Sequence, residues 1–198
     1  MSVSIHCPYC HKHTALSVAR TSFARDYGAT GWTDATYQDS NRSLWWMGIC
    51  NGCSGVVLVR DNGAYIAPAP LPSATDHNIP KLIRDDLIEA KVCLSAKCFR
   101  AAATMARRAV QQACIDKGAT GSDLVVQIKD LTTKGLITKD LEEWATVVRW
   151  VGNDGAHPGK QSVDEADAVD SIGLAEQFLH VLYVTPAVAK ARRTARGK

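Results

Sequence analysis

The chain has 198 residues, 46% hydrophobic and 22% charged, which suits one domain of usual size, or one plus a small module, and excludes wholesale disorder. Its net charge of +3 is too small to mark a general nucleic-acid binder, and Lys190, Arg192, Arg193, Arg196 and Lys198, with no acid among them, more than account for it. No apolar run approaches the roughly 18 residues of a membrane span, and the first residues lack the basic and apolar segments of a secretion signal. We therefore expect no membrane partner and a cytoplasmic location, where seven cysteines serve as metal ligands or buried thiols rather than disulfides.

The first 67 residues read as short antiparallel strands. Thr14–Arg20, Ser43–Ile49, Val56–Arg60 and Ala64–Ala67 carry Val, Trp, Ile or Tyr between Gly, Asn and Asp breakers. Asn62-Gly63 predicts a tight hairpin turn, because both residues tolerate positive φ. Trp45-Trp46 in a strand points one indole to each face, one to the core and the other to an interface or a stacked base.

Two Cys-x-x-Cys pairs frame these strands: Cys7-Pro-Tyr-Cys10 and Cys50-Asn-Gly-Cys53. Each fits a turn whose two sulfurs converge, with Gly52 supplying permissive backbone, and two such turns make a tetrahedral thiolate cage. We expect one structural Zn2+ per chain on Cys7, Cys10, Cys50 and Cys53, stabilising a module too small for a sufficient core. His6, His11 and His13 crowd the first pair and are expected at the surface or behind the ligands, while Cys93, Cys98 and Cys114 have no ligand spacing and are expected to be buried thiols.

Ile66-Ala-Pro-Ala-Pro-Leu-Pro72 is held extended by proline and opens a linker over 68–78. Helical periodicity then governs 79–189. Pro80 starts one helix that runs to about Cys93, and Ser95 caps a second that ends at Lys117 before Gly118. The second helix has a polar face of Arg100, Thr104, Arg107 and Gln111. Ser122-Asp123 opens a third and Thr138 a fourth, with Leu141, Trp144, Val147, Val148 and Val151 inward. Ser162-Val-Asp-Glu165 reads as a capping box for a fifth helix that ends near Val184, before Pro186. The fold class is thus mostly α, a bundle of about five helices behind a small N-terminal β ribbon, with 190–198 left as a basic tail. That tail is either a solvated end or a phosphate-binding arm built on Arg192 and Arg193.

Arg149, Asn153 and His157 fall at i, i+4 and i+8. If the helix continues they line one side, and if it ends at Gly152-Asn153 the loop can fold His157 back; Pro158 disfavours helix at His157. Together they could neutralise a phosphate, orient a hydroxyl and move a proton, or Asn153 could cap the helix and His157 bond to the loop.

The two cysteine pairs, Ile79-Pro80 with Asp85–Glu89 and Ala90, Ala101–Arg108 with Gln111, Gly152-Asn153 through Ala156-His157, and Leu182-Tyr183-Val184 with Pro186 together resemble a bacterial family known as domain of unknown function 4145. That family is usually placed in the HEPN superfamily of nucleotide- and RNA-associated helical domains. The resemblance implies a HEPN bundle acting as a homodimer, to which an apolar face at Leu174, Phe178, Val181 and Leu182 would contribute. It also implies a metal-independent endoribonuclease in a defence or toxin-like setting, with His157 in the histidine position and Asn153 in the polar one. Gly152 stands where the superfamily has arginine, so Arg149 is the nearest guanidinium before Asn153, and Arg107 or Arg108 could lend another. A non-catalytic adaptor for protein contacts and a nucleotide sensor are the alternatives.

Overall fold

Alternation along the central strands sends Trp46, Cys50, Val57 and Val59 to one face, where they are buried with Ile5, Cys7 and Leu16. The computed structural model describes residues 3–24, 30–157 and 162–197, and the chain divides into two compact units, Met1–Ala74 and Thr75–Lys198. The first unit contains β1 (Ser4–His6), β2 (His13–Val18), β3 (Arg20–Ala24), β4 (Thr30–Asp34), β5 (Thr36–Gln38), β6 (Leu44–Cys50), β7 (Val56–Arg60) and β8 (Tyr65–Ala67). Its antiparallel sheet runs β1-β2-β6-β7-β8, with β5 also on β6, and β3–β4 form a separate hairpin.

The threonine-rich strands β4 and β5 escape a sequence reading because no apolar alternation marks them. The β7–β8 hairpin forms at Asn62-Gly63, but its loop is a 3-10 turn over Asp61–Gly63 in which Asp61 and Asn62 both have positive φ. Asp61 also accepts a hydrogen bond from the Leu44 amide at 2.8 Å, which ties the turn to the start of β6. Trp46 is buried in the core, while Trp45 lies on the opposite face with its Nε1 donating to Asp39 Oδ2 at 2.8 Å.

The second unit is helical: α1 (Lys81–Ser95), α2 (Phe99–Asp116), α3 (Leu124–Thr133), α4 (Lys139–Ala156) and α5 (Glu165–Ala195). The chain is therefore mostly α with a small N-terminal β part. Central α2 buries Ala102, Ala103, Ala106, Ala109 and Ala113, small side chains that let α1, α4 and α5 approach it closely. Two buried or partly buried ion pairs tie the helices: Asp86 to Arg108 at 3.0 Å, and Lys91, fully buried, to Glu176 at 2.5 Å. Lys91 also donates to Thr75 Oγ1 at 2.8 Å, and burial draws its pKa below the usual lysine value.

Several helix ends differ from the sequence reading. α1 runs through Ser95, so Cys98 rather than Ser95 precedes α2, with Lys97 in the left-handed region between them. The capping box of the fifth helix uses Asp164 and Asp167 in place of Ser162 and Glu165, the two carboxylates accepting from the two exposed amides two residues further along. Trp144 is exposed, although Leu141 and Val148 on the same helix are buried.

Pro186 does not end α5. The helix passes through a π turn at His180–Val184 and resumes as Thr185–Ala195 with Pro186 in its first turn, where a missing N–H is tolerated. Residues 190–195 are therefore helical, exposed and without a buried side chain. By length and composition α5 could cross a membrane, but its Ala168, Ile172, Ala175, Phe178 and Leu179 are buried in the bundle core, which accounts for its apolar content. Phe178 and Leu182 of the apolar face expected to dimerise lie in the same core, and Val181 remains exposed.

Candidate metal centre and anion cleft

The first cysteine pair sits in the turn between β1 and β2, and the second in the turn between β6 and β7. The β2–β6 pairing, which aligns Leu16 with Cys50, sets the two turns side by side. Both turns repeat one geometry. The His11 amide donates to Cys7 O at 3.0 Å, and the Ser54 amide to Cys50 O at 2.8 Å. His11 and Ser54, each just after the second cysteine, take positive φ. Gly52 does not, so the permissive position is one that the glycine reading missed.

All four Sγ atoms lie within 4.8 Å of one another, with Cys7 to Cys53 at 3.7 Å and Cys10 to Cys50 at 3.9 Å. A tetrahedron of thiolates about 2.3 Å from a central ion has edges of about 3.8 Å, so these residues fit a bound metal ion. The Tyr9 amide points at Cys7 Sγ and the Gly52 amide at Cys50 Sγ, at 3.4 and 3.3 Å. Burial raises the Cys50 thiol pKa, but the Gly52 and Cys53 amides and neighbouring thiols outweigh it and bring the group down to about 6. Burial raises the Cys7 thiol, and against the Gly55 amide, burial with the neighbouring thiols pushes Cys53 up to about 12, so without a cation the four sulfurs do not ionise together. His6 and His13 pair across β1–β2 with ring centroids 5.0 Å apart and stand outside the cluster, as does His11. Of the other cysteines, Cys114 is buried and its thiol pushed up to about 12, whereas Cys98 is exposed.

The second candidate site lies between α2 and α4. Gly152 of α4 packs on Ala103 and Arg107, and Gly155 on Arg100 and Thr104, so the helices run antiparallel in contact. α4 continues to Ala156, which keeps Arg149 and Asn153 on neighbouring turns of one side. His157 is extended and exposed at the helix end, its amide donating to Asn153 O at 3.1 Å. Eight residues of rise separate it from Arg149 by about 12 Å along the axis. Pro158 and Lys198 lie outside the described residues.

Arg107 and Arg149 meet in this cleft. Both Nε atoms are buried without a hydrogen-bond partner, and among the described residues neither guanidinium pairs with a carboxylate. Burial, and then the charge of Arg149, lower the Arg107 pKa from its usual value. Elsewhere on its guanidinium, Arg107 donates from one terminal nitrogen to Gln111 Oε1 at 3.5 Å. Two half-buried like charges without a counter-ion make a place where an anion is favoured. Arg108, by contrast, is held by Asp86, and Arg192 and Arg193 stand exposed in the last turn of α5.

Residues 88–196, just over half of the chain, match the family model described as Domain of unknown function (DUF4145). The chain belongs to the DUF4145 family. The DUF4145 match begins inside α1 and takes in both walls of the α2–α4 cleft, while the four-cysteine cluster precedes it. Comparison with curated proteins and with solved structures finds no match.

Within this DUF4145 bundle the glycine at position 152 has a structural cause. A Cβ there would lie 2.5 Å from Arg107 Cβ and 2.9 Å from the Ala103 carbonyl oxygen, so no arginine fits. The guanidiniums at this contact come instead from the turn before, as Arg149, and from across it, as Arg107. Gly152→Ala should therefore destabilise the bundle by about 1–3 kcal/mol, read from denaturant unfolding of the helical signal.

Proposed function

We propose that this chain is an RNA-directed, cytoplasmic protein of the HEPN type, carrying a zinc ribbon on Cys7, Cys10, Cys50 and Cys53. One observation carries the RNA reading: the uncompensated guanidiniums of Arg107 and Arg149, whose buried Nε atoms lack partners. A phosphodiester supplies the missing charge and can accept from both forks. Zinc is supported by the four-thiolate set and its near-tetrahedral edges. The homodimer is the form the HEPN resemblance implies.

In the enzymatic form of this reading, His157 removes the proton of a ribose 2′-OH, Arg149 stabilises the phosphorane charge and Asn153 positions the phosphate. RNA carries its own nucleophile, so a base and a charge stabiliser suffice to leave a cyclic phosphate. The two turns between Arg149 and His157 favour a second reading, in which the cleft binds RNA without cutting it and the chain is an adaptor. Incubation of total RNA with wild type and His157→Ala, both checked for intact fold, separates the two. Cleavage to cyclic-phosphate ends by wild type alone supports the enzyme. Equal cleavage by both proteins, or RNA binding without cleavage across substrates and pH, removes it.

A further inference from the structure

Trp150 follows Arg149 on α4 but points away from the core. It is 55% exposed, and the helix buries Leu141, Ala145, Val148 and Gly152 on the opposite phase. A tryptophan so placed stabilises little of the fold and leaves most of its apolar surface in water. Its ring lies beside a groove of about 460 Å3 lined by Lys139, Glu142, Glu143, Thr146, Val147 and Trp150. The Arg149 guanidinium carbon is 5.9 Å from the Trp150 ring centroid, so the aromatic surface adjoins the anion cleft.

The charges around the groove decide what it can hold. Glu142, Glu143 and Lys139 line the groove itself, while Arg149 stands outside that lining, beside the Trp150 ring. Two carboxylates against one ammonium leave the groove net negative, which disfavours a phosphate chain or an anionic lipid headgroup there, while a neutral planar ring meets no such penalty. Carboxylates and the Thr146 hydroxyl can also accept from a base's exocyclic amine. The backbone thus belongs at the arginines and the base over the tryptophan.

We propose that Trp150 is a stacking platform for one unpaired base of a single-stranded RNA whose adjacent phosphate is held by Arg107 and Arg149. This rests on the RNA reading above and narrows it. A base in a duplex is stacked on both sides and cannot reach the indole, so the site selects single strands, loops or ends.

The test uses the full-length, metal-replete protein and three probes: a short single-stranded RNA, the same sequence as a perfect duplex, and inorganic tripolyphosphate. Wild type should bind the single strand more tightly than the duplex. Trp150→Ala should bind the single strand about tenfold more weakly, with tripolyphosphate affinity unchanged, and Trp150→Phe should keep most of the wild-type affinity. Unchanged single-strand affinity in a folded Trp150→Ala overturns the stacking site but leaves the arginine cleft standing. Failure of wild type to bind either RNA or tripolyphosphate overturns the RNA reading and the platform with it.

Discussion

Chelation of the metal proposed at the four cysteines, or Cys50→Ser, is expected to unfold the Met1–Ala74 unit and to leave most of the helical circular-dichroism signal in place. The expectation follows from where the apolar cores lie. Among the described residues the sheet unit buries one cluster of seven: Ile5, Cys7, Leu16, Trp46, Cys50, Val57 and Val59. Two of the seven are cysteines of the metal cluster, and Trp46 is the only large ring. Without metal, the four thiols within 4.8 Å of one another lose the ion that offsets their mutual repulsion when charged. Structural zinc contributes on the order of 10 kcal/mol to small domains of this kind, more than such a core can replace. Among its described residues the helical unit buries 25 in its own cluster and holds no ligand of the site. Metal analysis should give one equivalent per chain. Limited proteolysis after chelation should cut within 3–74 and spare 81–195. A sheet unit that resists protease equally without metal would contradict the expectation.

How far the residues announced this arrangement depends on whether local chemistry or a distant partner decides each position. The metal cluster was legible because Cys-x-x-Cys spacing fixes two sulfurs on one turn, whatever surrounds it. The permissive backbone was misplaced, since glycine at 52 draws attention while His11 and Ser54 bear the positive φ. Helix existence followed from apolar periodicity, but helix ends did not. Asp164 displaced Ser162 as the cap, and the π turn before Pro186 carried α5 on to Ala195.

The anion cleft was half legible. Arg149 and Asn153 at i and i+4 could be placed on one side from spacing alone, and Arg107 on the polar face of α2. Their meeting could not, because it depends on the glycine contact that sets α4 against α2. The same contact explains Gly152, which in the sequence shows only as a departure. Trp150 carries a usable signal in the sequence: it lies off the apolar phase of its own helix, beside an arginine.

RNA binding by Arg107→Met and Arg149→Met tests the central claim most directly. Methionine preserves the aliphatic stem and its packing while removing the charged fork. Each Nε is buried without a partner in the free protein, so its removal relieves a cost there and deletes a charge-assisted contact in the complex. Stability should hold or rise, while affinity for single-stranded RNA falls about tenfold for each variant and the logarithmic salt slope shrinks by about one phosphate. Fluorescence anisotropy of a labelled RNA, titrated at several salt concentrations, reads affinity and slope, and thermal unfolding reads stability and confirms the fold. Parallel losses in affinity and salt slope for both variants are what the cleft predicts. Folded variants that bind RNA with wild-type affinity and slope would contradict it.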